Sequence, residues 1–211
     1  MRNYIKNLFY LVLILVLSSA RADEAVSFFR AVNVDNASGV SALLARGFDP
    51  NTADERGQVA LYLAMREDAP KVAAALIAHP ATRIDATNAA GETPLMMAAL
   101  RGRLDWMQRF IERGAQLRRD GWTPLHYAAS GPEPRAVTLL LDRGAPIDAR
   151  SPNGSTPLMM AARYGDEAAT SALLARGADP TLRNERGLNA ADFARLGGRD
   201  ALAARLEALA R

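Results

Sequence analysis

Apolar residues recur along this chain in short runs of helical period, and the runs come in two alternating kinds. One kind carries a leucine followed by paired alanines: Leu95 with Ala98-Ala99, Leu125 with Ala128-Ala129, and Leu158 with Ala161-Ala162. The other carries larger pairs: Leu43-Leu44, Leu76-Ile77, Phe110-Ile111, Leu139-Leu140 and Leu173-Leu174. The alternation predicts helix pairs, a slim first helix whose alanines let neighbours approach closely and a bulkier second helix. The punctuation agrees. Thr93-Pro94, Thr123-Pro124 and Thr156-Pro157 open the first helices. Threonine can cap a helix N-terminus, and proline is tolerated just inside it because no intrahelical donor is lost there. Gly47, Gly114, Gly144 and Gly177 close the second helices, where a left-handed cap favours glycine.

The same period appears in the glycines that precede each first helix. Gly57, Gly91, Gly121, Gly154 and Gly187 are separated by 34, 30, 33 and 33 residues, and Thr123-Pro124-Leu125-His126-Tyr127-Ala128 fits the pattern T-P-L-H-x-A. On these residues the chain resembles the ankyrin-repeat family over nearly everything after the first twenty-odd positions. The resemblance implies an all-α solenoid of stacked helix-turn-helix units joined by short β-hairpin fingers, with His126 hydrogen-bonded locally and tying adjacent repeats together. Residues 23–211 divide into about six units: 23–52, 53–86, 87–117, 118–150, 151–182 and 183–211. The first lacks a Thr-Pro, and the sixth puts Asn189-Ala190-Ala191 in place of Thr-Pro-Leu before the amphipathic segment Asp200 to Ala210. Atypical ends suit a stack that must finish against water.

Two departures interrupt the row. Seven residues run from Gly114 to Gly121, where Gly47 to Gly57, Gly144 to Gly154 and Gly177 to Gly187 each take ten, so one finger is three residues short. Pro80 stands where a helix-ending glycine is expected, and proline cannot adopt a positive φ, so that helix must end differently.

The N-terminus reads as an export signal. Arg2 and Lys6 precede the apolar run Leu8 to Leu17, and Ala20-Arg21-Ala22 has the small-x-small form of a cleavage site. Ten apolar residues fall short of the roughly 20 that a spanning helix needs. A signal peptide at 1–22 is therefore expected, with no stable membrane insertion after its removal and an uncleaved N-terminal anchor as the alternative. This changes the meaning of the charge. The whole chain has 26 bases and 23 acids, a formal +3, but three of the bases, Arg2, Lys6 and Arg21, lie in the leader and no acid does. The remainder is neutral, which argues against nucleic-acid binding. Cysteine is absent, excluding disulfides and thiol chemistry. A leader on a cysteine-free solenoid points to a bacterial periplasmic protein, with secretion as the alternative.

The chain carries no H-E-x-x-H, phosphate-binding loop, nucleophile elbow or dinucleotide fingerprint, and its two histidines, His79 and His126, are too few for a zinc site without further ligands. No cofactor or metal is expected. Asp54, Asp85, Asp148, Asn88 and Asn184 occupy finger positions where Asp and Asn support turns. The resemblance implies a monomeric, non-enzymatic scaffold or adaptor that binds another protein through a concave surface of finger tips and first helices. A secreted effector, or an enzyme or ligand-binding protein on the same scaffold, is the alternative. Trp122, Tyr164, Arg101, Arg119, Arg163 and Arg56 are the partner-binding candidates, since Trp, Tyr and Arg dominate interface energetics.

Overall fold

The computed structural model describes residues 21–210, and the chain divides into two compact units, one reaching to Arg83 and the other starting at Ile84. The expected leader lies outside the described residues except for Arg21 and Ala22, which open the described part of the first helix.

The first unit holds α1 (21–33), α2 (Ala37–Ala45), α3 (Ala60–Arg66) and α4 (Pro70–Ala78). Phe28, Val32, Val40, Val72 and Leu76 are fully buried in it, and the Phe28 ring lies 4.6 Å from that of Phe48. Its helices are capped unevenly. Asn36 caps α2 through its own side chain, whereas α3 starts on Val59 with no side-chain cap. Ala69 cannot cap α4 either, and Asp35 does so from the preceding pair, its carboxylate accepting the Val72 N–H at 2.8 Å. At the far end of α4, His79 is extended (φ −77°, ψ 127°). Pro80 thus ends this helix without a left-handed residue, whereas Gly114 and Gly144 take φ of 86° and 82° after theirs.

The second unit holds α5 (Pro94–Leu100), α6 (Leu104–Glu112), α7 (Pro124–Ser130), α8 (Pro134–Asp142), α9 (Pro157–Tyr164), α10 (Glu167–Ala175), α11 (Ala190–Leu196) and α12 (Asp200–Leu209). The slim helices α5, α7, α9 and α11 stack on one another, and α6, α8 and α10 form a second row. The paired alanines of α5, α7 and α9 are fully buried between neighbours, as their size predicts. The approach is closest at Gly165, where an added Cβ would stand 2.0 Å from the Ala129 carbonyl oxygen. Trp106 and Phe110 are buried on α6, with the Arg109 guanidinium 4.6 Å from the Trp106 ring centroid.

The fingers are turns, not ladders: among the described residues there is no strand, and one isolated bridge joins Ala53 and Val59. Four fingers share one design. The N–H of Asp54, Asn88, Ser151 or Asn184 donates to the carbonyl four residues later at 2.9–3.0 Å. Asp54, Asn88 and Asn184 also accept backbone N–H bonds from two and four residues on, as their finger positions imply. Across 118–122, the finger shortened by three residues, no such bond forms among the described residues.

Asp85 and Asp148 depart from expectation. Rather than supporting their own fingers, they bind the next repeat: Asp85 accepts the Gln116 N–H at 3.1 Å and Asp148 the Asp179 N–H at 3.2 Å. In the first unit Asn51 does the same for Arg83 at 2.7 Å. Partial burial raises both carboxyl pKa values. The intervening rung is missing for a covalent reason. The acceptor position is Arg118, four residues past Gly114, and the donor position is Pro146, which has no N–H to give.

Candidate functional site

Each first helix of the second unit starts on a polar cap followed by proline or alanine, which fixes where its later residues point. The hydroxyls of Thr93 and Thr156 accept the N–H of Met96 and Met159, while the N–H groups of Thr93 and Thr156 lie 3.4 Å from those methionine sulfurs. Asn189 and Asp192 exchange the same pair of bonds at 3.0 Å in α11. In α7 the third helical residue is His126, and it does more. The Thr123 N–H donates to Nδ1 at 3.1 Å and the Thr123 hydroxyl lies 2.9 Å from the same nitrogen. A backbone N–H can only donate, so Nδ1 is the unprotonated nitrogen and Nε2–H donates to the Ser155 carbonyl, 3.0 Å away in the next repeat. The ring is 1% exposed, and burial pulls its pKa down to about 4, partly opposed by bonds to backbone carbonyls. His126 is a neutral tie between units, with both ring nitrogens engaged.

One turn further along, the first helices present Tyr127, Met160 and Phe193, and another turn along, Leu100, Ser130, Arg163 and Leu196. These positions floor a groove of two open recesses. The smaller, about 200 Å³, is lined by Leu100, Trp122, His126, Tyr127, Ser130 and Met160 and contains no charged group. The larger, about 470 Å³, is lined by Trp122, Met160, Arg163, Tyr164, Phe193 and Leu196 from one side, and by Asn153, Ser155, Asn184, Arg186 and Leu188 from the fingers. Trp122 and Met160 belong to both recesses and form the wall between them. Trp122 is held edge-on to His126, with centroids 5.2 Å apart and planes at 80°. The Tyr127 hydroxyl donates to Glu92 at 2.6 Å, and Glu92 in turn accepts from the Asn88 amide, so this part of the floor is anchored to the third unit's finger.

Of the six residues the sequence singles out, the structure brings three together. Trp122, Arg163 and Tyr164 share the larger recess, with Tyr164 56% exposed and the Arg163 guanidinium 4.8 Å from its ring centroid. Arg101 ends α5 as an exposed residue outside both recesses. Arg119 also lies outside them, within electrostatic reach of Asp85. Arg56 belongs to the first compact unit, where it lines a separate recess of about 610 Å³ with Ala22, Val26 and Phe29 of α1 and Val34 just after it. Sequence reasoning missed Tyr127, Met160, Phe193 and Leu196. Their signal was available: they recur one repeat apart at the fourth and seventh residues of the first helices, but an apolar residue there reads as core, correctly for the buried Phe193 and incorrectly for Met160 and the exposed Leu196.

No helix among the described residues is long and apolar enough to cross a membrane, and no cluster of three or more metal-ligating side chains occurs among them. The family model for ankyrin repeats (three copies) matches residues 28–119, 82–151 and 111–184. The chain is 29% identical over 109 residues to the rat ankyrin repeat and SAM domain-containing protein 6, covering 50% of this chain and 12% of the relative. It is 31% identical over 149 residues to the human neurogenic locus notch homolog protein 2, covering 69% of this chain and 6% of the relative. To the chicken nuclear factor NF-kappa-B p105 subunit it is 33% identical over 132 residues, 59% of this chain and 13% of the relative. The chain thus spans about a tenth of the length of these curated relatives. Capped slim helices, stacked alanine pairs and a match running from residue 28 to 184 agree: the chain belongs to the ankyrin-repeat family.

Proposed function

We propose that this protein is a non-enzymatic scaffold or adaptor that binds another protein in the bacterial periplasm, using the groove of its second unit. Ankyrin repeats generally serve protein–protein binding. The observation that carries the reading here is the meeting of Trp122, Arg163 and Tyr164 on an open recess with an apolar floor and a polar finger side. Large, partly exposed aromatic rings beside an arginine gain most from desolvation while losing few rotamers, the properties of interface anchors. His126, the residue in the groove best suited to proton transfer, has both nitrogens committed to the backbone. The leader pattern and the lack of cysteine support the periplasmic assignment.

The test is crosslinking of the exported chain in intact cells, wild type against Tyr164→Ala combined with Arg163→Ala. A protein recovered with the wild type is expected to be lost or reduced with the variant, while thermal unfolding of the two purified proteins coincides. Equal recovery from a folded variant refutes the groove. Fractionation that leaves the protein outside the periplasm refutes the location alone.

A further inference from the structure

The groove carries a charge asymmetry that the fold does not use. From residue 151 onward, Arg176, Arg183, Arg195 and Arg205 each hold a carboxylate, and Arg199 donates to three carbonyls at the end of α9 and beside it. Among the described residues of this stretch, Arg163 and Arg186 have no carboxylate or carbonyl partner, and they are the two arginines that line the larger recess. No acidic residue lines either recess, and Glu185, next to Arg186, is exposed on the finger outside them. Arg163 is half-buried beside the apolar floor and Arg186 is exposed on the facing finger, so a carboxylate arriving between them meets two fork-shaped donors with no competing acid in the recess. The smaller recess offers the opposite chemistry, an uncharged pocket walled by Trp122, Tyr127 and Met160. Both recesses are open, so a chain can cross them without ending. Two cations are far short of the basic stripe a phosphate backbone needs.

We propose that the groove binds an extended internal segment of the partner, with an apolar side chain in the Trp122–Tyr127–Met160 recess and an Asp or Glu side chain against Arg163 and Arg186. This rests on the reading of the groove as the protein-binding surface and adds the chemistry of its ligand. Electrostatic matching of this kind sets which partners are accepted and how fast they associate.

The experiment is an array of peptides with acetylated and amidated ends, each pairing leucine, phenylalanine or tryptophan with Asp or Glu, beside matched peptides carrying Asn, Gln or Lys. The purified exported chain is applied as wild type, Arg163→Gln/Arg186→Gln, Arg163→Glu/Arg186→Glu and Tyr164→Ala. Wild type is expected to retain the acidic peptides, the double glutamine variant to bind them about tenfold more weakly, and the double glutamate variant to prefer lysine-bearing versions. Unchanged thermal unfolding of the variants shows that the fold is kept. Equal retention of acidic and amide peptides, or an acid preference that survives both substitutions, overturns the proposal. If retention ignores the acid but falls with Tyr164→Ala, the groove stands as the binding surface and only the ligand chemistry fails. If the wild type retains no peptide, both fail.

Discussion

Helices α7 and α9 begin on the same Thr-Pro-Leu sequence and on nearly the same backbone, with cap φ of −114° and −101°, yet they are joined to the stack in different ways. In α9 the third residue is Met159, whose sulfur stays within its own turn. In α7 it is His126, which satisfies the same N–H and then reaches Ser155 in the next repeat. A helix start therefore needs only some acceptor over its cap, and sulfur suffices. Locking one repeat to the next takes a second polar atom on the far side of the ring. That lock lies under Trp122, so the wall between the two recesses rests on the best-tied part of the row.

The harshest way to break the comparison is to part the two helices. Gly165→Ala puts a methyl group into the Ala129 carbonyl, and backbone on both sides must move. A loss of about 3 kcal/mol in unfolding free energy is expected, as for strong overpacking, read by urea titration. A glycine freed by its backbone angle alone would not behave this way, since Gly165 has φ −84°.

Acid should act on α7 and leave α9 indifferent. His126 titrates at about 4 in the fold against 6.5 in the open chain, so between those values the unfolded state binds the extra proton. Its contribution is complete above pH 6.5 and is lost as pH falls toward 4, on the order of 3 kcal/mol for the whole span. Asp85 and Asp148 have raised values and act in the opposite sense. They are common to wild type and His126→Met, so the difference between the two unfolding profiles from pH 7 to 4 isolates the ring. Parallel profiles would show that it carries no such linkage.

Converting α7 into α9 directly is gentler. With His126→Met the Thr123 N–H keeps a sulfur acceptor, and the Ser155 carbonyl keeps the Ser151 N–H, 3.0 Å away. About 1 kcal/mol should be lost at neutral pH, the net worth of one hydrogen bond. The reverse change, Met159→His, should bring a ring N–H toward the Leu188 carbonyl, the counterpart of Ser155, and add about 0.5 kcal/mol. Failure to stabilise would mean that spacing between α9 and α11 differs from that between α7 and α9 by enough to forbid the bond.

Much of this was written locally. Thr-Pro pairs, paired alanines and helix-ending glycines are short-range instructions, and each produced the cap, close contact or turn that its chemistry dictates. Asp54, Asn88 and Asn184 behaved likewise, because an Asx turn closes within five residues. Asp85 and Asp148 misled because their partners sit 31 residues away, a distance at which finger position says nothing. The groove was legible in part for the same reason. Trp122, Arg163 and Tyr164 stood out by residue type, whereas Met160 and Leu196 look like core residues in the sequence, and only the stacked structure shows that they stay open while Phe193 beside them is buried.

The chain by itself determined the repeat length, the helix pairs, the neutral charge of the part after residue 22 and the place where one finger is cut short. These follow from bonds and steric limits that act within a turn or two. Tertiary structure alone decided which apolar residues remain open to a partner, which arginines are already spent on carboxylates and carbonyls, and that a buried imidazole can tie one repeat to the next. Those outcomes depend on what lies a full repeat away, and burial, pairing and a shifted pKa are properties of the assembled neighbours rather than of any segment.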